Sequence, residues 1–336
     1  MAKTYLGMPF DEDIFTGMWQ DEPDPVRTAL LEAGVMVADS AIASQIQGNG
    51  VLYTIPFYNE LGGNVVNYDG ATDITATETG GGYQTGVVYG RAAGWSARDF
   101  VAELSGADPM GNISRKVGRF WQKDRQARLV KLLDTLFSIT KTGKFGHDWA
   151  DHTLTKTTGI AETDLNDLAT QACGDQKGAF AVAIMHSAVA RKLESKQLLE
   201  FWKQTDPNGL QRPVNLASCN GYTVIVDDSM PFEKGTGAEE GTTKYTTYLL
   251  GTGVIRQASA RLDHPSETHR DPAKNGGTDY LYTKIRETIH PNGFSFSAPS
   301  ANFTNSPTDD QLFNKANWSL QFDPKAIPMD KLVTVE

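Results

Sequence analysis

The chain has 336 residues, of which 39% are hydrophobic and 21% charged, so it is long enough to bury a real core and its composition excludes global disorder. Its net charge of -10 argues against a monomer that binds free nucleic acid, because such proteins are usually basic. The two cysteines lack CxxC spacing, which excludes a thiolate zinc site. An acidic N-terminus without an apolar stretch excludes a signal peptide, and the longest apolar run, 179–185, is too short to cross a bilayer.

The first 25 residues are acidic and interrupted by prolines, and they carry the apolar side chains Phe10, Phe15, Met18 and Trp19. Such a segment is typical of an arm that binds to a neighbouring subunit. The alternative is a frayed terminus, which is the more common case for an isolated domain.

A helix is expected over 30–46, followed by a change of pattern. Alternating apolar residues from Val51 to Phe57, a glycine triplet at 80–82 and a second alternating run through Tyr83, Val87 and Tyr89 predict a long β-hairpin within 50–95. This hairpin has too few large side chains to form its own core, so we expect it to pack on another part of the chain or on another subunit.

The stretch from Gly94 to Phe137 predicts a short helix, a break at Ala107-Asp108-Pro109, and an uncommonly long helix. Seven basic residues crowd the long helix against two acidic ones, Asp124 and Asp134. This concentration of positive charge in an acidic chain suggests a face turned toward a polyanion. The basic residues are Arg115, Lys116, Arg119, Lys123, Arg125, Arg128 and Lys131.

The rest of the chain predicts a mixture of helices and strands, with a loop at 141–160 and a polar tail from residue 297. Helices are expected at 164–172 and 176–199, strands at 222–226, 245–250 and 294–296, and an extended hairpin formed by 257–268 and 279–289.

No combination of residues predicts an active site. The sequence His264 to Asp271 holds His264, Glu267, His269 and Asp271, but their spacing matches no standard metal site. The adjacent Asp227 and Asp228 follow a predicted strand, which favours a turn over a carboxylate pair. Neither GxGxxG nor GxSxG is present. No cofactor is expected.

Three segments together resemble the major capsid proteins of tailed bacteriophages. The first runs from Gly94-Trp95 through the break at 107–109 and the pattern FWxxxRQxxLxxxL to Phe137. The second is Gly174-Asp175-Gln176 followed by Ala183 to Ser187. The third runs from Asn220 to Asp228, followed by a strand and Gly251. The resemblance spans approximately residues 30–298. No single segment is specific for the family, but the order and spacing of the three segments are.

The resemblance implies an α+β protein with the Hong Kong 97-type capsid fold, organised in four parts and a tail. It implies an N-terminal arm (1–34) and an extended E-loop hairpin (47–95) that lies over a neighbouring subunit. The P domain would comprise 35–46, 96–164 and 256–290, and would contain a spine helix at about 111–137 and a long hairpin at about 257–290. The A domain would comprise 165–255 and 291–300, and the resemblance does not place the C-terminal tail (301–336).

On this interpretation the chain is not an enzyme but a structural protein that self-assembles from hexamers and pentamers into the icosahedral head of a tailed phage and encloses double-stranded DNA. Candidate subunit contacts are Trp19, Phe57, Tyr58 and Trp95, because aromatic residues often anchor interfaces. Candidate DNA-facing residues on the spine helix are Arg115, Arg119 and Lys123.

The resemblance also implies partners and a location. The chain begins at the arm without a helical leader, which suggests a separate scaffolding protein. A portal and a decoration protein are further expected partners. DNA is expected to be contacted non-specifically, and no membrane is expected to be involved. The protein is therefore expected to assemble in the cytoplasm of the bacterial host and to form part of the virion. Some relatives cross-link the E-loop through a Lys-Asn isopeptide bond, but this chain has no lysine between Lys3 and Lys116, so that bond is not expected.

Three alternatives remain from the sequence. An encapsulin-type nanocompartment shell would share the fold and enclose enzymes instead of DNA. A metal-dependent hydrolase would use Asp227, Asp228 and His264. A tail or receptor-binding module would predict repeats and trimeric β-structure, against which the long helix argues.

Overall fold

The computed structural model describes residues 3–5, 8–10, 24–26, 28–48, 50–74, 76–205, 211–235, 241–298, 303 and 305–335. Helices and strands are mixed along the first part of the chain, and strands predominate from residue 200 onward. The helices are α1 (Ala29–Glu32), α2 (Ser40–Ile46), α3 (Asp99–Ser105), α4 (Pro109–Phe137), α5 (Asp164–Cys173), α6 (Ser187–Ser195) and α7 (Asp309–Leu312).

The strands vary from three to fourteen residues. They are β1 (Lys3–Tyr5), β2 (Met8–Phe10), β3 (Met36–Ala38), β4 (Leu52–Tyr58), β5 (Gly81–Val87), β6 (Tyr89–Arg98), β7 (Thr153–Thr155), β8 (Phe180–Met185), β9 (Glu200–Thr205), β10 (Gln211–Cys219), β11 (Tyr222–Val226), β12 (Phe232–Lys234), β13 (Thr243–Gly251), β14 (Ile255–Ser259), β15 (Ser266–Asp271), β16 (Thr278–Pro291), β17 (Phe294–Phe296), β18 (Trp318–Leu320) and β19 (Met329–Val335).

Two sheets form the body. In the described part of the chain, the larger sheet has the order β7-β19-β13-β8-β11-β10-β9, with β12 paired to β13. The smaller sheet centres on β16, which pairs with β6 along one edge and with β15 and β14 along the other, and β3 extends it beside β14. Among the strands that the structure describes, β4 pairs only with β5, so the predicted hairpin within 50–95 is confirmed.

Helix α4 joins the two sheets. It begins at Pro109, where the Asp108 side chain accepts a hydrogen bond from the Gly111 amide (2.9 Å). Its first half packs on the smaller sheet, where the Trp121 indole donates to Thr283 (3.1 Å). Its second half packs on the larger sheet through a buried row of leucines, at 129, 132, 133 and 136. The long helix predicted from the sequence is therefore confirmed, and one core runs under both sheets.

The predicted helix over 30–46 is wrong in its middle. Gly34 adopts a left-handed φ of 72°, which ends the first helix. The chain then forms β3, which pairs in parallel with β14, and Asp39 caps α2 by accepting from the Ala41 and Ile42 amides.

The predicted helix over 176–199 is also wrong in its first half. Residues 174–179 form a 3-10 helix and the apolar run that follows forms β8, whose neighbours are β11 and β13. The predicted helix at 164–172 and the strands at 222–226, 245–250 and 294–296 are confirmed as α5, β11, β13 and β17. The predicted loop at 141–160 contains two 3-10 turns and β7.

The last described segment belongs to the core of the larger sheet. β19 lies between β7, to which it is parallel, and β13, to which it is antiparallel. Its Asp330 is completely buried, and the His152 ring nitrogen Nδ1 lies 2.7 Å from the carboxylate and 3.0 Å from the Met329 carbonyl. Burial raises the pKa of Asp330 to about 7.

Candidate assembly surfaces

The root of the β4–β5 hairpin is fixed to the smaller sheet. The Tyr53 hydroxyl bonds to the Thr288 hydroxyl (2.8 Å) and its ring contacts the edge of His290. Gly86 lies opposite Tyr53, and a Cβ there would lie 2.1 Å from the ring carbon Cζ. A glycine at this position therefore lets the tyrosine cross the hairpin and anchor it.

The connection between the two strands, 59–80, extends from this root with apolar side chains in solvent. Val65 is fully exposed and Tyr68 is 93% exposed. Among the described residues of this hairpin, the other exposed apolar side chains are Leu52, Tyr58, Leu61, Ile74 and Tyr83. The described part of the subunit does not cover them, and an exposed apolar surface of this size usually marks a protein interface.

The four aromatic residues predicted to contact other subunits have different environments. Trp19 lies outside the described residues. Phe57 packs edge-to-face on Phe322 of the same chain, with ring centroids 5.0 Å apart. Tyr58 is exposed. Trp95 is half-buried and contacts Phe120 edge-to-face at 5.2 Å.

Four of the basic residues of α4 bind to carboxylates outside the helix. Arg119 Nε and Lys123 Nζ both contact Asp24, at 3.1 and 2.5 Å. The hydrogen bond from Lys123, together with those from the Val26 amide and Arg119, lowers the pKa of Asp24 to about 2. The Arg119 and Lys123 side chains nevertheless remain 36% and 37% exposed, and Arg115 is exposed one turn before Arg119.

Further along α4, two arginines fasten the helix to the rest of the subunit. Arg125 donates from Nε and Nη2 to the buried Glu287 of β16, which also accepts from the Tyr89 hydroxyl. Arg128 bridges Asp124 and Asp309. Glu287 and Asp309 lie far away in sequence, so the sequence shows a run of positive charge without showing which charges these carboxylates neutralise.

The residues of the hydrolase alternative do not form one site. Asp227 is buried and accepts four hydrogen bonds, from the Ala29 amide, the Gln126 side chain, and the Ser229 amide and hydroxyl. Asp228 is mostly exposed and accepts from the Ser187 amide at the start of α6. His264 lies between β14 and β15 of the smaller sheet, whereas both aspartates follow β11 of the larger sheet.

The described residues contain no group of His, Cys, Asp and Glu side chains arranged to hold a metal ion, so His264, Glu267, His269 and Asp271 are not brought into a cluster of that kind. Within the same residues no helix is long and apolar enough to span a membrane. Both cysteines are reduced and buried, and burial raises the pKa of Cys173 to about 12, which makes it unreactive.

The sequence and the fold are both similar to those of known capsid proteins. The chain is 30% identical over 306 residues to the major capsid protein of Bacillus phage SPP1, and the match covers 89% of each chain. This chain belongs to the phage major capsid protein family. No protein-family model matches it.

Solved phage capsids share the fold at low sequence identity. The Cyanophage Pam1 capsid subunit is 10% identical, with a TM-score of 0.59 over 96% of both chains. The Ralstonia phage GP4 capsid subunit is 9% identical, with a TM-score of 0.55 over 99% of this chain and 98% of the other. The predicted α+β, Hong Kong 97-type fold is confirmed. The major capsid protein is a structural component of the virion, and the encapsulin and hydrolase alternatives are not favoured.

Proposed function

We propose that this capsid protein assembles as pentamers and hexamers into the icosahedral head of a tailed phage, around double-stranded DNA. The observation that carries the proposal is the β4–β5 hairpin, whose root is fixed by Tyr53 while its tip presents apolar side chains that the subunit leaves uncovered. A surface of this kind is buried when copies associate.

Electron microscopy of the purified protein, with its mass measured by light scattering, tests the assembly. Closed shells, tubes or rings of five and six copies are expected. A stable monomer or dimer in the presence of the phage's scaffolding protein would contradict the proposal.

The division of the chain into an arm, an E-loop, a P domain and an A domain has support in the two sheets. Most of the smaller sheet and the first half of α4 come from the ranges of the proposed P domain, but β6 includes residues 89–95 of the proposed E-loop. Most of the larger sheet comes from the proposed A domain, but β7 comes from the range proposed for the P domain. β19 adds residues of the tail to the larger sheet. A cryo-electron microscopy map of the assembled shell tests this division, because the larger sheet should then lie around the fivefold and sixfold axes.

The hairpin tip is proposed to lie on a neighbouring subunit. Val65→Asp with Tyr68→Asp should abolish shell formation, because both side chains would have to carry charge into the interface. Asn64→Asp with Asn67→Asp is the matched control, since it adds the same charge to the same loop and removes no apolar surface. Equal assembly of the two double variants would show that the apolar tip makes no interface.

We also propose that Arg115, Arg119 and Lys123 face the packaged DNA. Their positions at intervals of four residues place them on one face of α4, and the pairing with Asp24 leaves a third of the Arg119 and Lys123 side chains exposed. Contacts of this type would be non-specific and weakened by salt.

Neutralising the three residues to glutamine should leave particles with a reduced DNA content. A control variant neutralises three exposed basic residues elsewhere, Lys177, Arg191 and Arg261. DNA content per particle, measured by absorbance and by density, should fall only in the first variant. Equal DNA content in both variants would remove the proposed role.

A separate scaffolding protein, a portal and a decoration protein are the proposed partners, and the host cytoplasm is the proposed place of assembly. Co-expression in bacteria tests the first of these: the subunit alone should give aberrant shells or free capsomers, and the subunit with its scaffolding protein should give uniform shells. Uniform shells from the subunit alone would show that no separate scaffold is needed.

A further inference from the structure

Asparagine side chains are chemically labile, and those followed by glycine lose their amide most readily, because glycine has no Cβ to obstruct the approach of its nitrogen to the asparagine side chain. The chain contains five Asn-Gly pairs. Two of them begin at Asn49 and Asn208, which lie outside the described residues. The other three lie in turns, and the fold holds their reacting groups in different ways. They are Asn220-Gly221, Asn275-Gly276 and Asn292-Gly293.

The pair at 275–276 lies at the tip of the hairpin formed by β15 and β16. Asn275 has a φ of 53° and Gly276 a φ of 77°, and the Gly277 amide donates to the Lys274 carbonyl at 3.0 Å. These features are those of a type I′ turn, for which Asn-Gly is a preferred sequence. The turn lies within a longer loop, 272–277, so the paired ends of the two strands do not clamp it directly.

Both reacting groups of this pair are accessible. Asn275 and Gly276 are exposed, and the Asn275 side chain makes no hydrogen bond to the described residues. A Cβ built on Gly276 would meet no heavy atom within 4 Å. An exposed turn that is closed by one backbone hydrogen bond opens readily, so the chain can rotate here until the Gly276 nitrogen faces the asparagine side chain.

The fold restrains the other two described pairs. The Asn220 side-chain amide donates to the Glu162 carbonyl at 2.8 Å, and its two-residue turn directly joins the paired strands β10 and β11. In the pair that begins at Asn292, the Gly293 residue is buried, and its amide donates to the Gln84 side chain at 3.0 Å. Reaction at either pair would first have to break these hydrogen bonds.

We propose that Asn275 is a site of spontaneous deamidation on the folded subunit, at which the Gly276 nitrogen attacks the side-chain carbonyl carbon. A bond forms between this carbon and the Gly276 nitrogen, the bond to the side-chain nitrogen breaks, and ammonia leaves with the proton that Gly276 loses. Solvent water then adds to one of the two carbonyl carbons of the five-membered imide. The ring opens to aspartate or to isoaspartate, and nothing is oxidised or reduced.

The product changes both the charge and the shape of the hairpin tip. A new carboxylate adds negative charge to a loop that lies between Asp271 and Asp279. In isoaspartate the main chain passes through the side-chain carbon and gains one atom, so the type I′ turn cannot keep its geometry. The Gly277 carbonyl accepts from the Asp99 amide at 3.1 Å, and the change therefore extends to the start of α3.

Peptide mapping in heavy-oxygen water measures the reaction at each pair. The protein, purified without a scaffolding protein, is held in mildly alkaline buffer made with this water, because loss of the Gly276 amide proton starts the attack. Aspartate and isoaspartate formed during the incubation carry the heavy isotope, which separates them from product that was already present. A parallel sample in urea gives the rate of each pair in the unfolded chain.

The ratio of the native rate to the unfolded rate isolates the effect of the fold, since the neighbouring sequence is the same in both samples. We expect this ratio at Asn275 to be at least several times the ratios at Asn220 and Asn292. A ratio at Asn275 that is no higher than those at the other two would overturn the proposal.

Asn275→Gln tests the chemistry at the same position, because the longer side chain would have to close a larger ring. Incorporation of heavy oxygen into the peptide that contains residue 275 should be lost, while the peptides that contain Asn220 and Asn292 should be unchanged. Undiminished incorporation at residue 275 would overturn attack by the Gly276 nitrogen.

Discussion

Substitution of the adjacent Asp227 and Asp228 tests which side chains stabilise the folded subunit. Asp227 is 1% exposed, and its carboxylate joins the end of β11 to α1 and α4 through hydrogen bonds of 2.6–3.0 Å. The Asp228 side chain is 68% exposed and accepts from the Ser187 amide at 3.0 Å. We expect Asp227→Ala to destabilise the subunit far more than Asp228→Ala.

The magnitudes follow from the contacts. Hydrogen bonds to a charged acceptor contribute about 1.5–3 kcal/mol each, but the exposed Ser229 can be rehydrated, so Asp227→Ala should cost about 3–5 kcal/mol. Asp228→Ala loses one exposed bond at a helix start and should cost about 1 kcal/mol or less. Asp227→Asn keeps the shape of the side chain, but all four groups around it are hydrogen-bond donors. The asparagine NH₂ group would therefore face another donor, and an intermediate cost of about 2 kcal/mol is expected.

Thermal unfolding followed by calorimetry measures the difference. At about 2 °C per kcal/mol for a chain of this length, Asp227→Ala should lower the midpoint by about 6–10 °C and Asp228→Ala by about 2 °C. Because particles unfold irreversibly, all three variants should be scanned at one rate. Equal losses for the two alanine variants would refute the argument that Asp227 is the junction.

Three further predictions concern the core, the hairpin and covalent linkage. Burial raises the pKa of Asp330 from 3.8 to about 7. The contribution of Asp330 to the free energy of unfolding is therefore complete below about pH 4 and is lost as the pH rises through about 7. Asp330→Asn should remove this part of the pH dependence, and an unchanged profile of unfolding free energy against pH would contradict the prediction. Gly86→Ala should displace Tyr53 and expose the root of the hairpin to protease. Gly118→Ala adds a Cβ with no heavy atom within 4 Å, so it should stabilise α4 by about 0.5–1 kcal/mol. Equal midpoints of thermal unfolding for the two variants would contradict both expectations. Denaturing gels of mature particles should show single subunits, and a ladder of multimers would contradict the expected absence of an isopeptide bond.

The sequence predicted the elements whose pattern is long and uniform. Helix α4 and the β4–β5 hairpin have such patterns, and the order of the three resembling segments identified the family. The sequence failed where a short apolar run fits two structures equally. Residues 179–185 are consistent with a buried helix turn or a buried strand, and only the neighbours β11 and β13 decide for the strand. Gly34 is the sequence signal for the break after α1, because glycine readily adopts the left-handed conformation that ends a helix.

The candidate surface was predicted less completely, for a physical reason. The sequence shows the charges of α4 but not the distant carboxylates, Asp24, Glu287 and Asp309, that neutralise four of its basic residues. Likewise, Phe57 and Tyr58 are adjacent aromatic residues, and only the fold shows that one packs on Phe322 and the other remains in solvent.

The position of β19 has a consequence for the timing of assembly. This strand is made of residues 329–335, yet it lies between β7 and β13 and completes the larger sheet. During synthesis the sheet must therefore remain unfinished until these residues leave the ribosome, since neither neighbour can pair with a strand that has not yet been made. The hairpin tip, made some 250 residues earlier, is exposed throughout that time. We expect nascent chains to be kept from joining shells while still attached to ribosomes, because the body that neighbours would bind is completed last.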